Sequence, residues 1–278
     1  MMKNTVDPMA VQSGVLAALM AQKGYSGTEK VFEGKEGFMD AFIGWDAKDE
    51  TLNPTDMKGR DGISSWGWDV EALVENLGKD YKILECGMKA FPTEALTHTH
   101  LSCVLNIMIG NNLDHTEIQE VKVTCFYQAY DILFDPTKYR PETRETADHS
   151  LPYCLAAAMV DKKITTESFS DEKLNDPRIF EVIDKIKGEP SLKFEKMFPE
   201  KQPSKVVITT NDGQEYSEYL ECPKGDPREP MTMDDLENKF NSLAGNEFNK
   251  IELNSLKKLI FNCENISSLD FMSQLVVR

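Results

Sequence analysis

Residues Tyr139–Glu172 read YRPETRETADHSLPYCLAAAMVDKKITTESFSDE. The stretch opens with Tyr139 and Arg140 in a proline-bounded loop and places His149 just before the apolar run Leu151–Val160. A polar loop that enters a small-residue helix through Asp148-His149-Ser150 is a good place to hold an anion or a proton-transfer group, because the start of a helix presents free N–H groups. The spacing predicts a helix over about Ala147–Asp161.

Downstream, Asp176-Pro177 starts another predicted helix, with Ile179, Val182, Ile183 and Ile186 on one face. Lys205–Thr210 and Glu215–Glu221 flank Asn211-Asp212-Gly213, a strong hairpin signal. After the proline-rich loop Pro223–Pro230, Thr232 caps a helix with Asp235 as the acidic third residue. Helices are expected over Glu252–Asn262 and after Ser267. Upstream, Ile118–Tyr127 is β-prone, and a helix runs from Glu94 or Leu96 to Met108. Tyr81–Cys86 connects to it, Asp69 caps a helix through about Leu77, and Asp46–Trp68 reads as an irregular loop anchored by Trp66 and Trp68. A short helix is expected over Gly37–Ile43. At the start of the chain, Asp7 and Pro8 suit the N-cap and first position of a helix that reaches Lys23 and stops at Gly24. Its apolar stripe includes Val11, Val15, Leu16, Leu19 and Met20. The small residues Ala10, Gly14, Ala17, Ala18 and Ala21 invite close approach by other helices. The order is helix-rich, then mixed, then helix-rich: an α+β chain in which a mixed segment interrupts a helical one.

The 278 residues carry a formal charge of −16, and 40% are hydrophobic. Such acidity argues against a nucleic-acid partner, which needs a basic face. An enzyme for anionic substrates would have to build a local positive pocket against this overall field. The apolar run around Val15–Met20 is too short to span a bilayer. The opening MMKNTVDPMA has the features of neither a signal nor a transit peptide, so a cytoplasmic protein without membrane contact is expected. Six cysteines without a CxxC pair read as reduced, mostly buried thiols.

A second cluster, Lys89-Ala-Phe-Pro-Thr-Glu94-Ala-Leu-Thr-His98-Thr-His100, combines a cation, a proline-fixed turn and titratable groups. Lys89 suits a carboxylate. On a helix Glu94 and His98 would share a face as an acid–base pair, or form an ordinary contact at a helix entry. His98 and His100 diverge on a helix, and without further ligand spacing no metal site is expected. Tyr139 can donate to a carboxylate or a leaving hydroxyl, and Arg140 can hold a carboxylate bidentately. Equally, both fit a loop tyrosine packed on proline and a solvent-paired arginine. His149 reads either as a proton-transfer group or as a histidine satisfied at the helix start.

Together these runs resemble the MmgE/PrpD family, which includes 2-methylcitrate dehydratases and cis-aconitate decarboxylases. The shared pattern is a Tyr/Arg loop, a His-Ser pair, a tyrosine, a small-residue helix and a Ser-Phe step. Lys89-x-Phe91-Pro92 with Thr97-His98 is a second landmark, and Gly24–Phe38 (GYSGTEKVFEGKEGF) a third. Phe91-Pro92-Thr93-Glu94 is similar to the dehydratase run, whereas the decarboxylase branch has histidine two residues after the proline. The resemblance implies metal-free, cofactor-free elimination of water from a tricarboxylate, 2-methylcitrate first. By position it implies substrate binding by Lys89 and Arg140, and a pocket or acid–base role for Glu94, Tyr139, His98 and His149. Gln12 falls two before Gly14, where the family commonly has a basic residue that contacts substrate.

The resemblance also implies an architecture. Residues 1–86 would be the later portion of a helical domain, 87–225 a mixed α/β lid, and 226–278 helices returning to the helical domain. It implies a homodimer or a complementary N-terminal chain as partner. A decarboxylase or epimerase within the family, and a non-catalytic fragment or one subunit of a split enzyme, are the rival readings.

Overall fold

Four strands, with helices on one of their faces, hold most of the buried side chains. The computed structural model describes residues 2–32, 37–38, 74–245, 247–268 and 270, and the chain divides into two compact units, Met1–Lys82 and Ile83–Arg278. The expected Gly37–Ile43 helix beyond Phe38, the Trp66/Trp68 loop, the Asp69 cap and residues 271–278 lie outside the described residues.

In the first unit, helix α1 covers Met2–Gln22 with Pro8 inside it. The helix therefore starts before the expected Asp7 cap. Pro8 offers no N–H to the carbonyl four residues back, so the turns on either side of it share one bond fewer. Gly24 ends the helix with φ 88°, a left-handed conformation that glycine adopts without a Cβ penalty.

The second unit begins its regular structure with α2, His98–Gly110, preceded by a 3-10 turn at Ala95–Thr97. Strand β1, Ile118–Cys125, follows, then helix α3, Tyr127–Leu133. Helix α4 covers Leu151–Asp161, and α5 covers Pro177–Ile183. Strand β2 is Ile186–Pro190, β3 is Ser204–Thr210 and β4 is Glu215–Leu220. Helices α6, Met233–Ala244, and α7, Lys250–Ile260, complete the set. No helix among the described residues is long and apolar enough to cross a membrane.

The strand order is β2-β1-β3-β4. Strand β1 pairs parallel with β2, Val121 facing Ile186, and antiparallel with β3, Val121 facing Ile208. Strands β3 and β4 form the expected hairpin; Thr210 N–H donates to the Gln214 carbonyl at 2.9 Å, and Gly213 takes φ 84°. Burial alternates along β1 and β3, so one face is covered and the other meets solvent. Helix α2 lies on β3 and β4, α4 packs against α2, and α5 packs against α4.

Ile186 corrects the sequence reading. The 3.6-residue periodicity of Ile179, Val182 and Ile183 runs on to Ile186, but the helix ends at Ile183 and Ile186 opens β2. Parallel pairing with the distant β1 overrides the local pattern there. Strand β2 also explains Gly188: a Cβ would lie 2.7 Å from the Phe134 ring. The predicted Ala147–Asp161 helix is likewise two pieces, Arg144–Ala147 and α4, with Asp148 and His149 between them. Ser150 caps α4 by accepting from Tyr153 N–H, and its hydroxyl donates to the Lys138 carbonyl. Cys103, Cys125 and Cys154 are buried, while Cys86 and Cys263 are exposed.

Candidate functional site

The segment carrying Lys89 is fixed by a loop distant in sequence. Met88 N–H donates to the Gly225 carbonyl at 2.8 Å. Gly225 has φ 93°, and a Cβ there would stand 1.9 Å from the Met88 oxygen, so this approach requires glycine. Lys239 of α6 donates to the Lys89 carbonyl at 2.6 Å, and Lys89 Nζ donates to the Thr93 carbonyl at 2.9 Å.

Beyond Pro92 the chain turns into α2. Glu94 is the cap of the 3-10 turn, its carboxylate accepting from Leu96 N–H at 2.6 Å. It therefore does not share a helical face with His98, which is the first residue of α2; the two side chains are held by different partners. The Glu94 N–H donates to the Asp148 carbonyl at 2.9 Å, which joins this turn to the start of the Tyr139–Glu172 stretch. Next to that carbonyl, the Asp148 carboxylate pairs with His149 Nδ1. Glu94, Asp148 and His149 are thus brought to one place. Buried Cys154 lies behind them, its thiol turned to the Ala147 carbonyl at 3.4 Å. Burial, aided by Asp148 and Glu94, raises that thiol well above its usual range, which disfavours a reactive thiolate.

His98 is buried, its ring centroid 5.4 Å from that of Phe91. Burial pushes its pKa down to about 4; Lys89 and Lys239 act in the same direction and the Thr93 backbone opposes them. At neutral pH it is an uncharged imidazole, and its Nε2 has no hydrogen-bond partner among the described residues. His100 is fully buried, pushed down to about 3 by burial, with Nδ1 against the Ser204 hydroxyl at 2.5 Å. The two imidazoles serve separate surroundings. Among the described residues no group of three or more His, Cys, Asp or Glu side chains could hold a metal.

Tyr139 and Arg140 are engaged elsewhere. The Tyr139 hydroxyl reaches the Ile186 carbonyl at 3.4 Å, and burial raises its pKa. Arg140 pairs with Asp184 at 2.6 Å, donates to the Tyr139 carbonyl and lies over the Phe180 ring. The structure sets this pair against the start of β2. Gln12 is exposed on α1 in the first unit.

What the second unit builds around Lys89 is a cavity of about 530 Å³, lined by Lys89, Lys162, Lys163, Lys224 and Lys239, with Asp235 as the one acidic residue among the described residues that line it. Asp235, Asn238, Lys239 and Ser242 line it from α6 at helical spacing, with the 162–166 segment forming another wall. Asp235 pairs with Lys224 at 2.9 Å, and Lys224 together with the Thr232 cap holds its carboxyl down to about 2. In a chain of net charge −16, five lysines around one acid form the local positive pocket that an anionic substrate requires. Of the sequence candidates only Lys89 is among the residues lining this cavity; Glu94, His98, Tyr139, Arg140 and His149 are not. Sequence reading missed Lys162, Lys163, Lys224 and Lys239. The Lys162-Lys163 pair stood inside the opening stretch, but as the end of a helix it gave no sign of meeting Lys89.

Fold and site together define a helix-backed four-stranded domain with a cationic cleft. The MmgE/PrpD C-terminal domain matches residues 91–260, and the MmgE/PrpD N-terminal domain matches residues 1–51. The chain belongs to the MmgE/PrpD family. Among curated proteins it is similar to cis-aconitate decarboxylase of Homo sapiens, 22% identical over 96% of this chain and 51% of the relative. It is also similar to cis-aconitate decarboxylase of Aspergillus terreus, 22% identical over 99% of this chain and 54% of the relative. The Mus musculus cis-aconitate decarboxylase is 27% identical over 49% of this chain and 28% of the relative. The chain spans about half the length of the human and fungal relatives.

Proposed function

We propose that the chain works in a lyase that removes water from a tricarboxylate without a metal, 2-methylcitrate being the leading substrate. The observation that carries this reading is the five-lysine cavity in a strongly acidic chain. Elimination next to a carboxylate builds negative charge on that group as the C–H proton leaves, and fixed ammonium groups stabilise the charge as it forms. Lys89, held at both its carbonyl and its ammonium, is the placed cation. Glu94 and the Asp148–His149 pair, joined through the Glu94 N–H, are the groups for proton transfer. His98, with its pKa near 4, is uncharged at pH 7, lies outside the cavity's lining and is assigned no step.

Decarboxylation of cis-aconitate is the second reading, favoured by the names of the curated relatives. Glu94, standing two after Pro92, is the local feature that favours dehydration. A separate N-terminal chain that completes the site is the rival reading, and the test below includes it. Tyr139, Arg140 and Gln12 are assigned no step.

The test is turnover of 2-methylcitrate and of cis-aconitate by the purified chain, alone and with any chain encoded just upstream. Dehydration by the chain alone sinks the need for a partner, and dehydration only in the mixture sinks self-sufficiency. Decarboxylation without dehydration overturns the substrate assignment. Turnover of neither acid in either mixture overturns the lyase reading. Lys89→Ala is expected to lower kcat/KM by ~100-fold, as loss of a charge that stabilises the transition state does.

A further inference from the structure

Most lysines on this chain with a defined partner meet a carboxylate. Lys173 pairs with Asp161, Lys187 with Glu120, Lys201 with Glu221 and Lys257 with Glu237. The cavity lysines differ. Lys89 and Lys239 donate to backbone carbonyls, and Lys162 donates to the neutral Asn112 side chain at 3.4 Å, with the exposed Asp114 carboxylate acting on it from farther off. Lys163 makes no hydrogen bond or ion pair with the described residues. Only Lys224 has an acid beside it, Asp235. Four cations that make no ion pair or hydrogen bond to a carboxylate among the described residues thus gather at one cavity of a chain with 47 acidic residues against 31 basic ones.

The backbone gives a second, independent sign. Lys162 closes α4 in the left-handed conformation, φ 52° and ψ 25°. A Cβ is unfavourable there, and glycine is the usual occupant of such a helix end. A strained non-glycine residue held beside a cavity points to a use for its side chain. Part of the reason is local, since a cation at a helix C-terminus meets the negative end of the dipole. That argument fails for Lys163, which lies past the helix and lines the same cavity.

We propose that Lys162 and Lys163 form a second anion-binding wall, separate from the Lys89–Lys239 wall, so that the cavity selects ligands with carboxylates at two or more positions. This rests on the cavity being the substrate site, and it makes two residues outside the Lys-x-Phe-Pro turn determinants of specificity. One wall comes from 89–92 and α6, the other from the segment that follows α4. A monocarboxylate can satisfy one wall only; a tricarboxylate engages both.

The experiment is calorimetric titration of the purified chain with propane-1,2,3-tricarboxylate, which cannot lose water, and with propionate, at low and at physiological salt. The tricarboxylate is expected to bind, to weaken as salt rises and to outbind propionate. Lys162→Gly is expected to bind it about tenfold more weakly, the effect of losing one charge-assisted hydrogen bond, with a Tm no lower than that of the unchanged chain. Lys163→Gln should weaken binding similarly, and Lys193→Gln, on an exposed turn away from the cavity, should not. Propionate affinity should move little in either cavity variant.

Tricarboxylate binding unchanged in both Lys162→Gly and Lys163→Gln overturns the proposal. A lower Tm accompanying weaker binding in Lys162→Gly, with Lys163→Gln unaffected, shows a structural lysine and overturns it as well. Tighter binding of pyrophosphate in the same titration replaces carboxylate selection with phosphate selection and also overturns it. Binding that behaves as expected, with no turnover by the chain alone or with the upstream-encoded chain, sinks the lyase reading and leaves the second wall standing. Turnover with variants that bind normally sinks the wall alone.

Discussion

Helices α1 and α4 are both rich in small residues, and they stand far apart in burial. In α4, Leu151 through Met159 are all buried, and Ala156, Ala157 and Ala158 sit in the core. Along α1, every residue from Thr5 to Gln22 is exposed, and Val15, Leu16 and Leu19 are 57%, 57% and 55% accessible. Small residues state that a helix can be approached closely; they do not state what approaches. Helix α4 draws its stability from neighbours, since each large apolar side chain that it buries is worth about 1.5–3 kcal/mol. Helix α1 has the interior Pro8 and no such burial, so its hydrogen bonds stand near the margin for a helix in water.

The largest test of this contrast is Tyr153→Ala against Leu16→Ala, measured by urea unfolding. Tyr153 is fully buried and donates to the Ser168 carbonyl at 2.9 Å. Its truncation should cost about 3–5 kcal/mol, while Leu16→Ala should change stability by no more than about 0.5 kcal/mol. A comparable loss at Leu16 would show that α1 has a packed neighbour in solution.

Acid comes next. His100 and His98 have folded pKa values lowered to about 3 and about 4. As pH falls below 6.5, the unfolded chain binds protons that the folded one refuses, so stability falls with pH. For each histidine the loss ends once the pH passes its folded value. One such histidine removes roughly 3 kcal/mol by pH 4. His100→Gln should therefore flatten stability between pH 6.5 and 4 while lowering it at pH 7. An unchanged pH slope would remove His100 as the cause.

Gly188→Ala should cost about 1–3 kcal/mol by driving a methyl into the Phe134 ring. The same change at Gly14, where a Cβ meets nothing within 4 Å, should instead favour α1 by about 0.5–1 kcal/mol. Ser150→Ala removes the α4 cap and should cost about 1 kcal/mol. The smallest perturbation is none at all: by hydrogen exchange, α4 amides should open only with global unfolding and α1 amides well before it. Equal protection in the two helices would erase the contrast.

Much of the fold could be read where the signal is local. Asn211-Asp212-Gly213 gave the hairpin, Thr232 with Asp235 gave the capping box of α6, and the branched run from Ile118 gave β1. What escaped depends on distant pairing. Ile186 continues a helical pattern and becomes a strand only because β1 lies beside it. Asp148 and His149 interrupt a helical run where the Asp148 carbonyl accepts from Glu94 N–H and the Ser150 hydroxyl donates to the Lys138 carbonyl. The site divides the same way. Lys89 was visible because a proline turn stands next to it. The lysines at 162, 163, 224 and 239 carry no local mark, and Arg140, with a conspicuous local setting, is neutralised by Asp184 from another segment.

The clamp on Lys89 also sets a timetable. Lys239 reaches back across 150 residues to hold the Lys89 carbonyl, and Gly225 grips Met88 on the same segment. During synthesis the cationic cleft therefore cannot close until α6 has left the ribosome. A nascent chain halted before residue 239 would display the Lys-x-Phe-Pro turn without the wall that holds it. The polyanion binding proposed above would thus become a receipt for completed synthesis of this unit, and a truncated chain would lack the α6 side of the cleft even with Lys89 and Glu94 in place.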